Sequence, residues 1–315
     1  MIVVTGGAGF IGSNLVRGLN GAGFEEIVVA DDLTDGRKFA NLTDCAISDY
    51  WDKDRLFAEL ESGRHGTPAA VFHQGACAVT TEWDGRRMME TNYRYSVQLL
   101  EYCLARQVPL IYASSAAVYG ASKRFNESDP ALERPLNVYG YSKLLFDRFV
   151  RRRLPEARSQ VVGLRYFNVY GPGEAHKGTM ASVAYHLTRA LEREGEVRLF
   201  MGSDGYAAGE QRRDFVYVED VVRVNLWFFE HADKSGVFNV GTGASASFNE
   251  LARAVIDWHG RGEIRYVPFP DDLKGRYQSF TEADIGALRS AGYPAAFADV
   301  RCGIRAYLDA MQTRS

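Results

Sequence analysis

Short runs of apolar, β-branched residues alternate with amphipathic stretches through the first half of the chain. Strand-like runs occupy residues 2–5, 27–30, 69–73, 110–114 and 161–165. Apolar residues recur at helical spacing over residues 13–19, 86–107 and 141–153. A chain that alternates strands with helices folds as a parallel sheet with helices on both faces. The pattern therefore predicts an α/β fold with a doubly wound parallel sheet.

After residue 166 this alternation weakens. The sequence there predicts a helix over 180–193, a loop without periodicity over 203–213, a strand over 214–218, a helix from 221, a strand and turn over 238–243, and a terminal amphipathic helix over 303–315. We expect a first domain over residues 1–170, with elements returning to its sheet near 214–243. A smaller C-terminal lobe, mainly residues 171–315, would be interleaved with it.

The first predicted strand runs directly into a glycine-rich turn over residues 5–12, and a predicted helix follows. Gly6 permits the tight turn, Gly9 lets the backbone approach a pyrophosphate, and Gly12 lets helix and strand pack closely. The N-terminus of the helix offers unpaired N–H groups to phosphates. This strand, turn and helix predict a dinucleotide site in a Rossmann-type domain.

Further polar or small residues follow other predicted strands. Asp31 and Asp32 end the second strand, about twenty residues after the turn, where a ribose-binding acid belongs. Gly75 follows a third strand, and Ser115 follows a fourth. Ligands of doubly wound sheets gather at the carboxyl ends of the strands. We therefore expect these residues to meet at one edge of the sheet.

Tyr139 and Lys143 are four residues apart on a predicted helix and share one face of it. The ammonium of Lys143 would favour the ionised phenol and lower the pKa of Tyr139. Such a phenol can take a proton from an alcohol or return it to a ketone. Ser115 would hold the same substrate oxygen. These three residues predict proton exchange with the oxygen of an alcohol or a ketone.

Composition narrows the possible partners and compartments. The 315 residues carry a formal charge of −3, which argues against broad binding to nucleic acid or anionic membranes. No apolar run approaches the ~20 residues of a membrane span, and a strand from residue 2 leaves no room for a signal peptide. We expect a cytoplasmic protein. Four widely spaced cysteines predict free thiols, and neither they nor the histidines predict a metal site.

With these motifs assembled, the chain resembles the extended short-chain dehydrogenase/reductases that act on nucleotide sugars. The runs that carry this resemblance span residues 5–12, 114–120, 139–143, 165–172 and 213–218. More specific runs over 80–85, 176–182 and 269–277 resemble the ADP-glyceromanno-heptose 6-epimerases, enzymes of lipopolysaccharide inner-core synthesis. The run 204–211 is a few residues longer than the usual segment of that family.

The resemblance implies an epimerase that oxidises a carbinol carbon to a ketone and returns hydride to its opposite face. It implies a tightly held, recycled nicotinamide cofactor and no net redox change. Two substrate orientations require two bases, and the family's roles fall on Tyr139 and Lys177. Lys143 would bind the cofactor ribose and tune Tyr139, and Ser115 would hydrogen-bond the reacting oxygen. The resemblance also implies a homopentamer.

The same resemblance implies a set of contacts. Cofactor residues are Gly6, Gly9, Phe10, Ile11, Gly12, Asp31, Asp32, Lys38, Lys53, Gln74, Gly75, Ala76, Cys77, Ala78, Asn92, Lys143, Val169 and Lys177. Substrate residues are Ser115, Asn168, Thr179, His186, Phe200, Met201, Gly202, Ser203, Arg213 and Tyr277. Arg37 or Lys38 would pair with a 2′-phosphate, which favours NADP. Asp32 stands where the family commonly has Asn, and its charge would let NAD compete better.

Three other functions share this fold. A nucleotide-sugar 4,6-dehydratase needs an Asp-Glu pair just after Ser115, where this chain has Ala116 and Ala117. A UDP-sugar 4-epimerase would use the same mechanism, and only the heptose-type runs argue against it. A non-catalytic dinucleotide sensor has no need of the tyrosine, lysine and serine together. The 4-epimerase is the strongest alternative.

Overall fold

A parallel β-sheet forms the centre of the protein, because the short apolar runs of the sequence are buried on both faces. The computed structural model describes residues 1–270 and 278–313. In chain order its strands are β1 (Ile2–Thr5), β2 (Ile27–Asp31), β3 (Asp49–Asp52), β4 (Ala70–His73), β5 (Leu110–Ser115), β6 (Val161–Tyr166), β7 (Asn168–Tyr170), β8 (Glu196–Phe200), β9 (Arg212–Arg213), β10 (Phe215–Tyr217), β11 (Gly236–Val240), β12 (Ala246–Ser247) and β13 (Glu263–Val267).

Amphipathic helices cover the sheet and build the second lobe. They are α1 (Phe10–Gly21), α2 (Leu56–Ser62), α3 (Gly85–Met88), α4 (Tyr95–Arg106), α5 (Val138–Arg153), α6 (Val183–Glu194), α7 (Val218–Glu230), α8 (Phe248–His259), α9 (Gly286–Ala291) and α10 (Val300–Thr313). A π-helix, Met89–Arg94, joins α3 to α4. Within residues 1–270 and 278–313, no helix is both long and apolar enough to cross a membrane.

The central sheet of the described chain has seven parallel strands in the order β11-β6-β5-β4-β1-β2-β3. The order reverses between β1 and β4, and ligand crevices open at such a point. Thr5 pairs with Ala30 on one side and with His73 on the other. The residues that follow these three strands therefore meet at one edge. The predicted doubly wound, Rossmann-type sheet is confirmed.

A second hydrophobic core lies outside this sheet. It packs α6, α8 and α10 against the parallel pair of β8 and β13. Leu191, Val197, Leu251, Val255 and Ile304 are fully buried in it. This C-terminal core brings α6 and the residues after β8 next to the carboxyl ends of the central strands.

Three details of the predicted elements differ from the structure. The helix predicted from residue 180 begins at Val183, because the Ser182 side chain caps it by accepting from Tyr185 N–H. The helix predicted over 86–107 contains the π-helix. The strand β3 was not predicted, since only Trp51 among its four residues is buried and the strand lies at the edge of the sheet.

Candidate active site

The glycine-rich turn between β1 and α1 is packed closely against the loop after β4. Gly6 has a φ of +67°, and a Cβ added there would lie 2.6 Å from Cα of Gly75. A Cβ on Gly12 would lie 2.1 Å from the carbonyl oxygen of Gly6. Only glycine fits either position, since both contacts are with backbone. α1 begins at Phe10, after Gly9, with no side-chain cap from the described residues, so its first N–H groups can meet a phosphate.

Charged residues line a cleft of about 460 Å³ beside this turn, among them the carboxylates of Asp31 and Asp32 and the ammonium groups of Lys38 and Lys53. The Asp31 carboxylate accepts from a backbone N–H of the turn at 2.7 Å and from Lys38 Nζ at 2.7 Å. Lys53 Nζ lies 3.0 Å from the Asp32 carboxylate. Hydrogen bonds from Thr34 and Lys53 hold the pKa of Asp32 well below its usual range. The cleft therefore keeps Asp32 ionised at neutral pH.

Arg37 lies apart from that cleft. It is largely exposed and pairs with Asp35 at 2.7 Å, a local contact on the surface. Lys38, by contrast, is largely buried and lines the cleft with Lys53. Of the two cations that the sequence offered for a 2′-phosphate, the structure places Lys38 in the cleft.

The loop of residues 74–78 forms another wall of the cleft. Three of its residues line the cleft, namely Gly75, Ala76 and Cys77, whereas Ala78 is exposed. Gln74 donates through Nε2 to Asn225 at 3.4 Å, and its buried Oε1 has no hydrogen-bond partner among the described residues. Such an acceptor is rare in a folded protein. The turn, Asp31 and the loop after β4 together fit a nicotinamide dinucleotide.

Asn92 lies behind this loop rather than on its open side. The π-helix places it, fully buried, where Oδ1 accepts from Cys77 N at 2.8 Å and Nδ2 donates to Cys77 O at 3.0 Å. Its Nδ2 also lies 3.2 Å from Ser142 Oγ on α5. Asn92 therefore ties the cofactor loop to the helix that carries Tyr139.

Tyr139, Ser115 and Lys143 meet where β5 ends against α5. The hydroxyl of Ser115, the last residue of β5, is hydrogen-bonded to the Tyr139 phenol. Ser115 Oγ also accepts from Ala117 N at 3.1 Å. Lys143 Nζ donates to Ala113 O at 2.8 Å, so the lysine is fixed to the same strand. The predicted helix thus brings these groups together.

The pKa predicted for Tyr139 is wrong in direction. Burial raises the pKa of the phenol, and the hydrogen bond with Ser115 acts in the opposite direction. The Lys143 ammonium does not offset this burial, because it is directed to the Ala113 carbonyl. Burial also lowers the pKa of Lys143 to about 8, against the opposing charge of Asp147. The pair therefore consists of a neutral phenol and an easily deprotonated ammonium.

Sequence reasoning missed a buried ion cluster directly behind Lys143. Asp147 lies one helical turn further along α5 and accepts from Tyr112 Oη at 3.0 Å, Ser114 Oγ at 2.9 Å and Arg165 Nε at 2.8 Å. Arg165 also contacts Glu133 at 2.6 Å. The side chains of Arg165, Asp147 and Glu133 are fully buried. The signal was an arginine within an otherwise apolar strand, which a buried carboxylate must accompany.

Lys177 lies on the other side of the glycine turn. It belongs to a 3-10 turn, Ala175–Met180, and its Nζ lies 5.3 Å from the centre of the Phe10 ring. Burial lowers the pKa of Lys177, and the carboxylate of Glu174 opposes that effect. The structure therefore brings a second amine to the cofactor turn. A larger fraction of this amine is uncharged than in an exposed lysine.

The predicted substrate residues lie on several different elements of the structure. Asn168 donates through Nδ2 to Asp214 O and to Thr281 Oγ1, both at 3.0 Å. Val169, predicted to contact the cofactor, follows it on β7 and is partly buried. Arg213 is mostly buried, with its guanidinium 5.9 Å from the centre of the Phe248 ring.

Other residues predicted to contact the substrate lie at the protein surface. Thr179 and His186 are exposed, and Met201 is 47% exposed at the end of β8. Phe200 packs edge-on against Phe269 at 5.4 Å. Tyr277 lies outside the described residues.

The longer run 204–211 folds against α8. Gly209 has a φ of +70°, and Asn249 donates to Ala208 O at 2.9 Å. Gln211 Nε2 donates to Met201 O and Ser203 Oγ, both at 3.1 Å. A Cβ on Gly202 would lie 1.9 Å from Tyr206 O. The extra residues therefore close onto residues 201–203.

The sequence predicts no metal site in this protein. In the part of the chain that the structure describes, no group of three or more His, Cys, Asp or Glu side chains is arranged to hold a metal ion. That no metal takes part stays a prediction.

Comparison with known proteins agrees with this geometry. Residues 2–241 match the NAD dependent epimerase/dehydratase family. ADP-L-glycero-D-manno-heptose-6-epimerase of Alkalilimnicola ehrlichii is 59% identical over 99% of this chain and 97% of its own. The Helicobacter pylori ADP-L-glycero-D-manno-heptose-6-epimerase structure is 33% identical, with a TM-score of 0.82 over 99% of this chain and 96% of that chain.

A structure with another substrate is also similar. Thermus thermophilus UDP-glucose 4-epimerase in complex with NAD is 28% identical, with a TM-score of 0.80 over 99% of this chain and 98% of that chain. The two kinds of epimerase therefore share this fold. The chain belongs to the NAD dependent epimerase/dehydratase family, and the predicted resemblance to its ADP-glyceromanno-heptose 6-epimerases is confirmed.

Proposed function

We propose that this chain converts ADP-D-glycero-D-manno-heptose to ADP-L-glycero-D-manno-heptose, for the inner core of lipopolysaccharide. The observation that carries the proposal is a pair of proton-handling sites on either side of the glycine turn. The hydrogen-bonded Tyr139 and Ser115 form one site, and Lys177 forms the other. The heptose assignment is supported by the relative that is 59% identical over almost the whole chain.

The reaction has two requirements that these residues meet. The carbon to be inverted is a carbinol centre with no adjacent carbonyl, so no side chain is basic enough to remove its proton directly. A bound nicotinamide dinucleotide supplies reversible hydride acceptance, with no net redox change over the cycle. The protein must remove a proton from the substrate hydroxyl and later return one to the ketone oxygen.

Each proton-handling group has a distinct part. Tyr139 exchanges a proton with the substrate oxygen in one orientation, and Ser115 holds that oxygen through its hydroxyl. Lys143 stays fixed to the strand and supplies positive charge for the cofactor ribose. Lys177 serves the second orientation. Since burial lowers its pKa, its amine is more often neutral and able to accept a proton.

We propose NADP as the preferred cofactor, with NAD as a competitor. Lys38 and Lys53 in the cleft support a 2′-phosphate, whereas the ionised Asp32 would repel one. Asp32→Asn should therefore raise the ratio of NADP affinity to NAD affinity, since one charge beside the phosphate is lost. Isothermal titration of both cofactors measures it. Equal ratios in wild type and variant would refute the effect of Asp32.

The organisation of the protein remains a set of proposals. We propose a cofactor domain over residues 1–170, with elements near 214–243 that return to its sheet, and a substrate lobe that is mainly residues 171–315. The separate core around α6, α8 and α10 supports this division. We propose a homopentamer from the family resemblance alone. We propose the cytoplasm as its location, which suits four free thiols.

The first test is proton NMR of ADP-D-glycero-D-manno-heptose incubated with the purified protein, without added reductant. We expect the L-glycero epimer to appear. Tyr139→Phe should slow its appearance by at least about a hundredfold, because the phenolic proton is lost. Ser122→Ala serves as the matched control, because it also removes one hydroxyl, from a residue that follows β5. It should leave the rate unchanged.

An unchanged spectrum from a folded protein with bound cofactor would refute the heptose assignment. UDP-galactose would then test the alternative, a UDP-sugar 4-epimerase, which the likeness to the Thermus thermophilus enzyme favours. Cofactor binding without turnover of any nucleotide sugar would instead indicate a sensor.

A further inference from the structure

The segment that carries Lys177, residues 171–182, has little regular structure of its own. It contains the 3-10 turn Ala175–Met180, which Gly178 interrupts with φ +54° and ψ −124°. A Cβ built on Gly178 would meet no described atom within 4 Å. Gly178, next to Lys177, therefore has open space on the side where a Cβ would point. We call residues 171–182 the lysine segment.

Glu174 joins the two ends of the lysine segment. Its carboxylate accepts from the backbone N–H of Gly171 at 3.3 Å and from Ser182 Oγ at 2.8 Å. The second carboxylate oxygen accepts from Ser182 N. Glu174 is only 1% exposed, and Lys177 N donates back to its carbonyl oxygen at 3.0 Å. One buried carboxylate thus connects residue 171 to residue 182, with Lys177 between them.

A helix from the end of the chain completes this site. Tyr307 of α10 is fully buried, and its phenol is hydrogen-bonded to Glu174. Burial raises the pKa of Glu174, whereas the hydrogen bonds from Ser182 and the charge of Lys177 lower it. A buried carboxylate with several donors is stabilised by them in its ionised form. Glu174 is therefore the acceptor on which the lysine segment and α10 converge.

Two asparagines attach the lysine segment to the cofactor turn. Asn14 of α1 donates to Pro172 O at 2.8 Å. Asn41 donates to Gly173 O and to Ala8 O, both at 3.0 Å. The start of the segment is thereby held against the glycine turn. Asn41 Nδ2 also lies 3.3 Å from His176 Nδ1, and Glu174 connects the start of the segment to its end at Ser182.

We propose that Glu174 is the positioning residue for Lys177: by joining the ends of the lysine segment, its carboxylate holds the amine at the reacting carbon. This inference rests on the proposed role of Lys177 as the second base. A glutamine at this position keeps the size but replaces one acceptor oxygen with a donor NH₂ group. In one orientation of the amide, the NH₂ group faces the Ser182 N–H. In the other orientation, it faces the Gly171 N–H and the Ser182 hydroxyl, so at least one donor meets another donor.

The test compares Glu174→Gln with Lys177→Met and with the double variant. A displacement of about 1 Å costs up to about a hundredfold in rate, so Glu174→Gln should slow epimerisation by about tenfold to a hundredfold. The double variant should be no slower than Lys177→Met, since the two changes disable one group. Glu282→Gln is the matched control. Like Glu174, Glu282 accepts from the N–H and the hydroxyl of a single serine, in this case Ser245. Glu282→Gln should leave the rate unchanged.

A second readout needs no turnover. The apoprotein is labelled briefly with acetic anhydride, and labelling of Lys177 is measured relative to Lys143 by peptide mass spectrometry. A released segment exposes the Lys177 amine, so Glu174→Gln should raise this ratio by more than about twofold. Glu282→Gln should not change it. If Glu174→Gln does not fold, Glu174→Asp replaces it, because a shorter carboxylate cannot reach both ends of the segment.

The outcomes separate this inference from the proposed function. An equal slowing by Glu174→Gln in the wild-type and Lys177→Met backgrounds would mean a general structural role and would overturn the inference, as would an unchanged labelling ratio. If the wild type leaves the heptose unaltered, the proposed function fails while labelling still tests Glu174. If Lys177→Met is too slow to measure, the labelling ratio decides.

Discussion

The two proton-handling sites of this protein are built in opposite ways. Tyr139 and Lys143 stand on α5, a helix of 16 residues, and Ser115 ends the central strand β5. Lys177 stands on an irregular segment that a single buried carboxylate closes. One site derives its geometry from regular backbone hydrogen bonds, and the other from side chains that bond to backbone.

This difference has a consequence for how each site responds to damage. A group on a helix packed against a sheet moves only if the helix moves, so the effect of a change there should appear first in stability. A group on the lysine segment can be displaced while the hydrophobic cores stay intact. The effect of a change there should therefore appear first in the rate of epimerisation. Changes in each region should therefore separate stability from activity.

The largest effect is expected from the ion cluster behind α5. Asp147→Ala would remove one of the two carboxylates that pair with the fully buried Arg165, and it would leave the buried Tyr112 and Ser114 hydroxyls without their acceptor. We expect it to lower the free energy of unfolding by about 3 kcal/mol. Urea denaturation followed by circular dichroism measures it.

The control for Asp147→Ala is Asp257→Asn, which breaks the exposed pair with Arg301. Exposed pairs contribute less than about 1 kcal/mol, so this variant should unfold almost as the wild type does. Equal losses in the two variants would contradict the view that the buried cluster supports α5.

The next effect concerns the charge of Lys143. Its pKa is lowered to about 8 by burial, so the ammonium loses its proton as pH rises through that value. Because the cationic form binds cofactor, cofactor affinity should fall by about tenfold per pH unit above pH 8. Below that pH the charge is complete and affinity should be level. Fluorescence titration from pH 6.5 to 9.5 measures it.

Two groups close to Lys143 stay uncharged over this pH range and cannot produce the same fall. Burial lowers the pKa of His73 to about 3 and raises that of Tyr139 above its usual value of 10.0, so both stay neutral from pH 6.5 to 9.5. Lys177 has a lowered pKa as well. Lys143→Met should abolish the fall and Lys177→Met should retain it. A fall that persists in Lys143→Met would assign it to another group.

The same contrast explains what the sequence could predict. The glycine turn, the acid after β2 and the Tyr139–Lys143 spacing follow from backbone periodicity and from sterics, which are local in sequence. The link between Glu174 and Ser182 joins irregular backbone that has no period, so only family resemblance pointed to Lys177. The cluster of Arg165 with Asp147 and Glu133 joins β6, α5 and the loop that precedes α5, and no local pattern pairs these residues.

Family resemblance names contacts, and the structure adds what else those residues do. Asn92 stays a predicted cofactor contact, and its side chain also holds the Cys77 backbone. Spacing predicted that Lys143 lowers the pKa of Tyr139, but burial dominates and raises it. Spacing fixes which residues share a face, and burial depends on the whole fold.

The smallest effect on stability should give the sharpest contrast between regions. Gly178→Ala and Gly23→Ala each add a Cβ where φ is positive, at +54° and +89°, and where no described atom lies within 4 Å. Each should cost about 1 kcal/mol through backbone strain alone. Only Gly178→Ala should also lower kcat, because that strain lies next to Lys177, whereas Gly23 follows α1 on the far side of the molecule from the strand ends. Thermal unfolding and initial rates of the two variants measure both effects. Equal kcat values would show that the position of Lys177 does not depend on the backbone of its segment.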